Sequence, residues 1–228
     1  MSSSPTYAIV PVKGLALAKR RLAPVLPDAV RRRLVLAMLE DVLAAIAGER
    51  EIERAVVVTP DAEAGSLAAG RGATILPEPG AGELNAAVES GVAFALSRGV
   101  GRVLVLPGDI PLASPEELAS LIGSRPSAPG VTLAPSRDGN GTNAMLLAPP
   151  DAIAPCYGPG SYLQHMSQAM ARHIDVNVLH LAGVGRDIDE PADLAALSAA
   201  APARYGFLEP YLAIARPGSD RAAPAEEQ

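Results

Sequence analysis

Two lysines and two arginines share one short segment near the start of the chain and could bind phosphate. Of the 19 Lys and Arg residues, the only lysines are Lys13 and Lys19, and Arg20 and Arg21 follow directly. The lysine ammonium is a compact point charge that suits phosphate oxygens, although chance in an arginine-rich chain would also explain the pattern. The P-loop signature is absent, which argues against a P-loop kinase or GTPase.

Three aspartates in two later segments could hold a metal ion. Asp109 lies in LPGDIPL (residues 106–112), and Asp187 and Asp189 lie in GRDIDEPADL (residues 185–194). Mg²⁺ binds one or two carboxylates and completes its octahedron with water and phosphate oxygens. Residues two apart in an extended segment point the same way, so either Asp187 or Asp189 could join Asp109. The alternatives are an Asx-turn for Asp109 and a helix cap for Asp189.

Two glycine-containing segments, SRDGNGTN (residues 136–143) and YGPGSYLQH (residues 157–165), are candidate anion sites. A helix is predicted to begin at Ser161, and its exposed N–H groups and positive dipole end would attract phosphate. His165 lies one turn further along the same face and is either a ligand contact or a buried structural histidine. The candidate binding residues of the two segments are Thr142, Asn143, Gly158, Gly160, Ser161 and His165.

A third glycine-containing segment, GAGELNAA (residues 80–87), places Gly82 and Asn85 after a predicted strand. Asn85 could cap the helix that follows. Its amide could also recognise a purine edge, and the two roles are compatible.

Strands and helices are predicted to alternate along the chain, which indicates a mainly parallel sheet covered on both faces. Ligands of such sheets collect outside the carboxyl ends of the strands, and the segments described above all follow predicted strands. Ser114, Pro115 and Glu117 form a capping-box pattern for one helix. The predicted strands are 7–12, 55–59, 73–76, 102–106, 131–134, 144–148 and 176–181, and the main predicted helices are 28–48, 85–97, 161–172 and 191–200.

Length and composition predict one α/β domain over residues 1–215, followed by a polar, disordered tail at 216–228. The net charge of −6 argues against binding to nucleic acid, where a basic face is expected. No apolar run approaches the roughly 20 residues that cross a bilayer, no secretion signal is evident at the start, and Cys156 is the only cysteine. These features predict a cytoplasmic protein. Three aromatic residues near the end indicate helix packing or, alternatively, a homodimer contact: Tyr205, Phe207 and Tyr211.

Taken together, the segments VPVK, AKRRL, LNAA, LPGDIPL, DGNGTNAM, GPGSYLQH and RDIDEPADL resemble the 2-phospho-L-lactate guanylyltransferase family of coenzyme F-420 biosynthesis. The resemblance covers residues 7–197. It implies a glycosyltransferase-A-like, Rossmann-like three-layer sandwich with a mainly parallel mixed sheet. It also implies transfer of GMP from GTP to the phosphate of 2-phospho-L-lactate, phosphoenolpyruvate or 3-phospho-D-glycerate, with release of pyrophosphate.

The same resemblance implies a role for each candidate residue. Asp109, with Asp187 or Asp189, would hold Mg²⁺. Lys13, Lys19 and Arg21 would meet the triphosphate, and Lys13, Lys19 and Asp109 would form the catalytic set. Gly82 and Asn85 would bind the guanine side, although Glu83 interrupts the contiguous Gly-Leu-Asn expected there. The acceptor would be bound by Thr142, Asn143, Gly158, Gly160, Ser161 and His165. An unstable product would pass to a downstream transferase.

The predicted chemistry needs no nucleophilic side chain, and no Ser-His-Asp or Cys-His arrangement is evident. A phosphate monoester has its second pKa near ~6, so the acceptor carries its own nucleophilic oxygen at neutral pH. Catalysis then consists mostly of positioning and charge neutralisation. The alternatives are a nucleotidyltransferase for another acceptor, such as a sugar phosphate or molybdopterin, a catalytically silent nucleotide-binding module of the same fold, and a glycosyltransferase.

Overall fold

The computed structural model describes residues 5–16, 18–79, 83–124 and 128–215, and within them seven strands form one sheet in the order β3-β2-β1-β4-β6-β5-β7. Strand β6 runs antiparallel to its neighbours β4 and β5, and the other pairs are parallel. The predicted α/β fold with a mainly parallel mixed sheet is thus confirmed. The strands are β1 (Thr6–Pro11), β2 (Ile52–Val58), β3 (Thr74–Leu76), β4 (Arg102–Val105), β5 (Gly130–Pro135), β6 (Thr142–Ala148) and β7 (Asp175–Val178).

Helices cover both faces of the sheet. Successive residues of β1 alternate between two hydrophobic clusters, with Ala8 and Val10 in one and Tyr7 and Ile9 in the other. The first cluster includes side chains of α1, α2 and α4, and the second includes side chains of α3 and α5. The helices are α1 (Asp28–Gly48), α2 (Ala62–Gly70), α3 (Leu84–Ser97), α4 (Pro115–Gly123), α5 (Ser161–Ala171), α6 (Pro191–Ala200), α7 (Pro202–Tyr205) and α8 (Glu209–Ala215).

A third hydrophobic cluster joins α1 to the C-terminal helices and to the loop after β1. It contains Leu22 from that loop, Met38 from α1, Ile188 and Tyr205, all fully buried. The Tyr205 hydroxyl donates a hydrogen bond to Asp41 of α1. Packing within the chain therefore accounts for Tyr205.

The antiparallel direction of β6 decides which of its residues reach the ligand edge of the sheet. Because Met145 pairs with Val105 and Leu147 with Val103, the first residues of β6 lie beside the carboxyl end of β4. Thr142 and Asn143 therefore share one edge with Asp109.

The loops that carry the aspartates are tied together by backbone and side-chain hydrogen bonds. The predicted capping box is present at Ser114, and the carboxylate of its partner Glu117 also accepts the N–H groups of residues 183 and 184 at 2.8 and 3.1 Å. The Ile188 N–H donates to the carbonyl oxygen of Asp109 at 3.1 Å. The segment before α6 is thereby held against the loop after β4.

The predicted helix over residues 28–48 is present as α1, and its N-cap residue is Pro27. The prediction that Asn85 caps a helix is wrong. Asn85 lies inside the first turn of α3, whose N-cap residue is Glu83. Longer-range contacts described below determine the position of Asn85. Gly82 and the predicted tail at 216–228 lie outside the described residues. No helix in the described part of the chain is both long and apolar enough to span a membrane.

We expect Gly183→Ala to lower the free energy of unfolding by about 1–3 kcal/mol, as overpacking typically does. A Cβ at this position would lie 2.0 Å from the carbonyl oxygen of Leu112 and 2.5 Å from Glu117 Oε2. Urea unfolding measures the change. The matched control is Gly70→Ala at the last position of α2, where a Cβ would meet nothing within 4 Å. Equal stability of the two variants would contradict the close approach.

Candidate active site

The loop after β1 that carries Lys13 and Lys19, called the lysine loop below, meets the loops that carry Asp109 and Asp189 at the Lys19 side chain. Its Nζ lies 2.6 Å from Asp109 Oδ2 and 2.5 Å from Asp189 Oδ1, and its side chain is only 6% exposed. Burial alone would lower the pKa of Lys19, but the negative charges of Asp109 and Asp189 and their hydrogen bonds outweigh it and raise the pKa. Lys19 therefore stays an ammonium ion that bridges two carboxylates from distant parts of the chain.

The backbone of the lysine loop is held in an uncommon conformation. Lys19 has φ 53°, in the left-handed region, which costs of order 1–3 kcal/mol for a residue other than glycine. Asp61, the N-cap of α2, fixes the loop through a hydrogen bond from the Leu15 N–H to its Oδ2 at 3.1 Å. Burial would raise the pKa of Asp61, but hydrogen bonds from the N–H groups of Ala64, Leu15 and Glu63 outweigh it and lower the pKa. The sequence analysis did not single out Asp61 because its role depends on contact with a loop 46 residues away.

Asp187 and Asp189, either of which is predicted to join Asp109, have different surroundings. Burial would raise the pKa of Asp189, but the charge and hydrogen bond of Lys19 outweigh it and lower the pKa. Burial raises the pKa of Asp187, and the charges of Asp109 and Asp189 add to the rise, while a hydrogen bond from Asn143 opposes it. Among the described residues, no basic side chain forms an ion pair with Asp187. The negative charge of Asp187 is therefore the one that a bound cation would best stabilise.

Asn143, which is predicted to bind the acceptor substrate, holds Asp187 in position. Its Nδ2 donates to Asp187 Oδ1 at 3.1 Å and to the carbonyl oxygen of Val184 at 3.0 Å. Both amide hydrogens are therefore used, and the Oδ1 atom of Asn143 is the group left for a ligand.

The predicted Mg²⁺ site needs two carboxylates, Asp109 with either Asp187 or Asp189, and stays a prediction. In the described ranges, no three His, Cys, Asp or Glu side chains are grouped closely enough to ligate one metal ion. Asp189 is ion-paired with Lys19, which also contacts Asp109. Since Mg²⁺ needs only one or two carboxylates when substrate phosphates complete its shell, Asp109 and Asp187 remain a suitable donor pair.

A cavity of about 570 Å³ lies beside these side chains. The predicted residues that line it are Lys13, Arg21, Asn143, Gly158, Asp187 and Asp189. Thr142, Ser161 and His165 are buried and do not line it. Gly160, with φ 72°, is the N-cap of α5 and adopts the left-handed conformation that glycine tolerates best.

His165 is fully buried and orients the hydroxyl group of Thr142. Its Nε2 accepts the Cys156 N–H at 3.0 Å, so the proton of the neutral ring lies on Nδ1, which donates to Thr142 Oγ1 at 2.9 Å. The Thr142 N–H in turn donates to Ser161 Oγ at 3.0 Å. Each hydroxyl thus accepts one bond and keeps its own hydrogen to donate. Two such donors suit the phosphate or carboxylate oxygens of a small acid.

The prediction that α5 offers exposed N–H groups at its start is wrong for its first two residues. The Ser161 N–H donates to the carbonyl oxygen of Gly158 at 3.1 Å, and the Tyr162 N–H donates to that of Asn140 at 3.3 Å. These two N–H groups are therefore not free for an anion, which would instead meet nearby hydroxyl groups and the helix dipole.

Asn85 supports the loop before α5 from the other side. The Tyr157 N–H donates to its Oδ1 at 2.7 Å, and its Nδ2 donates to the Tyr157 carbonyl oxygen at 3.2 Å. Contact of Asn85 with guanine stays a prediction, and in this structure both of its polar atoms are engaged by Tyr157.

The family model "Guanylyl transferase CofC like" matches residues 6–203 of the chain. The chain belongs to this family. A phosphoenolpyruvate guanylyltransferase of Sphaerobacter thermophilus is 42% identical over 86% of this chain and 94% of its own length. A second protein of that name, from Rubrobacter xylanophilus, is 40% identical over 87% of this chain and 96% of its own length. The 2-phospho-L-lactate guanylyltransferase of Methanothermobacter thermautotrophicus is 34% identical over 83% of this chain and 82% of its own length. This CofC-like chain is accordingly a nucleotidyltransferase.

Solved structures share the fold of this CofC-like protein at low sequence identity. A protein of Desulfovibrio desulfuricans G20 assigned as a nucleotide-diphospho-sugar transferase superposes with a TM-score of 0.74 at 17% identity, over 94% of this chain and 98% of that chain. A nucleotidyl transferase from Methanothermobacter has a TM-score of 0.66 at 17% identity, over 91% and 100%. The shared architecture is that of nucleotidyltransferases.

We expect the stability of the protein to fall as the pH drops from 6.5 toward 4, because burial lowers the pKa of His165 from 6.5 to about 4. In this window the unfolded chain binds a proton that the folded chain does not, so the contribution is complete above the unfolded pKa and declines below it. His165→Gln keeps an acceptor for the Cys156 N–H but cannot titrate. Urea unfolding should show the wild type losing about 3 kcal/mol relative to this variant across the window. A difference that does not change with pH would contradict the assignment.

Proposed function

We propose that this protein transfers GMP from GTP to the phosphate of phosphoenolpyruvate, with release of pyrophosphate. The observation that carries the proposal is the bridge of Lys19 to Asp109 and Asp189 beside the cavity. It joins the candidate phosphate-binding lysine to two candidate metal-binding aspartates at the carboxyl edge of the sheet. The two bacterial relatives near 40% identity are named for phosphoenolpyruvate, which supports this acid over 2-phospho-L-lactate or 3-phospho-D-glycerate.

The reaction joins two anions that repel each other, and the positive side chains of the site would reduce this repulsion. An acceptor phosphate oxygen attacks the α-phosphorus of GTP, and the bond from the α-phosphorus to the bridging oxygen of pyrophosphate breaks. Lys13, Lys19 and Arg21 offset the charge that develops on the leaving pyrophosphate. Asp109 and Asp187 would hold Mg²⁺, which when bound neutralises charge on the phosphate oxygens and orients them.

We infer that hydrogen-bond donors also orient the acceptor, through two hydroxyls that lie behind the residues lining the cavity. The hydroxyls of Thr142 and Ser161 each have a hydrogen to donate, because each already accepts a bond within the protein. An acid that lacks an oxygen to accept these bonds would leave the buried hydroxyl donors unpaired, so the site would discriminate against it.

We place the reaction in the biosynthesis of the deazaflavin coenzyme F-420, in the cytoplasm, with a downstream transferase consuming an unstable product. The family membership supports the pathway. The product would be a phosphoanhydride that joins GMP to the acceptor phosphate, and its reactivity would favour prompt hand-off.

The acceptor is tested by following pyrophosphate while the protein, Mg²⁺ and each of four nucleoside triphosphates are combined with each acid. We expect release with GTP and phosphoenolpyruvate above that with 2-phospho-L-lactate or 3-phospho-D-glycerate. Release with sugar phosphates or molybdopterin in place of the acids would favour the wider nucleotidyltransferase alternative. GTP binding without pyrophosphate release for any acceptor would favour a silent binding module.

We expect Asp109→Asn to lower kcat by about 100-fold or more, because one electrostatic contact to the reacting groups commonly contributes this much. The free energy of unfolding should also fall, because the variant leaves the buried Lys19 with one carboxylate partner, so kcat is compared under conditions where both proteins are fully folded. The matched control is Asp151→Asn, an exposed aspartate after β6, at the opposite edge of the sheet. A near-normal rate for Asp109→Asn would remove Asp109 from the reacting centre.

A further inference from the structure

One carboxylate at the ligand edge has no partner that explains its burial. Glu78 follows β3, two residues beyond its end, and its Oε2 atom is buried without a hydrogen-bond partner among the described residues. Such an acceptor loses hydration without compensation, which costs free energy in the unliganded protein. A ligand that donates hydrogen bonds to Glu78 would recover that loss.

Glu78 is influenced by the charge of Lys13 but forms no ion pair with it. Burial raises the pKa of Glu78, and the positive charge of Lys13 opposes the rise. No ion pair joins Glu78 to Lys13 or to another basic residue in the described part of the chain. The charge of Lys13 in the lysine loop therefore acts on Glu78, but no ion pair among the described residues occupies the Glu78 carboxylate.

The order of the strands places Glu78 on the far side of the lysine loop from the acceptor groups of β6. The sheet runs β3-β2-β1-β4-β6-β5, so the lysine loop after β1 separates the acceptor groups of β6 from the ends of β2 and β3. A depression of about 450 Å³ lies at those ends, lined by Thr59, Pro60, Ile75 and Pro77 among others. A GTP whose phosphates meet the lysine loop, and whose α-phosphorus faces the acceptor, would direct its base toward this side.

The chemistry of the bases decides what a carboxylate at this position would bind. Guanine presents two adjacent donors, N1–H and the N2 amino group. Adenine and cytosine place an acceptor beside their amino group, and uracil places acceptors on both sides of its one donor. A carboxylate is an acceptor only, so it pairs with guanine and repels the other edges. We propose that Glu78 selects the base of GTP by accepting hydrogen bonds from guanine N1–H and N2, an inference that rests on the proposed guanylyltransferase function.

The test exchanges the base and the side chain together. Glu78→Gln replaces one carboxylate oxygen with an amide donor, and xanthosine triphosphate replaces the guanine N2 amino group with an oxygen acceptor. We expect the wild type to prefer GTP over xanthosine triphosphate, and Glu78→Gln to lose about 10- to 100-fold in kcat/KM for GTP. The same variant should gain in kcat/KM for xanthosine triphosphate, so that the preference reverses. Inosine triphosphate, which lacks the N2 amino group, should be a poorer substrate than GTP for the wild type only.

The controls separate this inference from the proposed function. Glu53→Gln, at an exposed position near the amino end of β2, should leave the preference unchanged. An equal loss of kcat/KM for both triphosphates in Glu78→Gln would mean that Glu78 acts only by balancing the charge of Lys13, and it would overturn base selection. An unchanged preference for GTP would overturn it as well. If the wild type released no pyrophosphate with GTP and any phosphorylated acid, the proposed function itself would fail. In that case, base selection would still be supported if calorimetry gave a lower Kd for GTP than for xanthosine triphosphate and the order reversed in the variant.

Discussion

The buried ammonium group of Lys19 and its two carboxylate partners form the interaction on which the site depends. Three parts of the chain meet there: the loop after β1, the loop after β4 and the segment before α6. Burying a charge is expensive unless it is paired and hydrogen-bonded, and removing one partner of such a group leaves the others uncompensated. The left-handed backbone at Lys19 adds strain at the same place, so the ion bridge also determines the conformation of the loop.

The other polar contacts around the cavity can be understood as supports for this bridge and for the anions beside it. Asp61 accepts a hydrogen bond from the backbone of the lysine loop, and Glu117 of α4 accepts one from the backbone of the segment before α6. Asn143 orients Asp187, and His165 orients the hydroxyl of Thr142. None of these four supports needs to touch a substrate. Each fixes a group that carries charge or donates a hydrogen bond, which is the preorganisation that electrostatic catalysis requires.

Local patterns in the sequence predicted the features that depend on neighbouring residues. The β-branched runs predicted the strands, the capping box at Ser114 was correct, and the order of strand and polar loop predicted that Lys19, Asp109 and Asp189 would share one edge. The contacts that the sequence did not reveal join residues far apart in the chain. Asn85 has the composition of a helix cap, yet its amide is bound by the backbone of Tyr157, 72 residues later. Likewise, no local pattern predicts that Asp189 rather than Asp187 pairs with Lys19, a contact across 170 residues.

A double-mutant cycle between Lys19 and Asp189 tests the central interaction most directly. The free energy of unfolding would be measured in urea, at neutral pH with a chelator present, for the wild type, Lys19→Met, Asp189→Asn and the double variant. The ion bridge predicts a coupling free energy of about 1–3 kcal/mol between the two positions. Additive effects, with a coupling below about 0.5 kcal/mol, would contradict the account, because independent sites behave in that way.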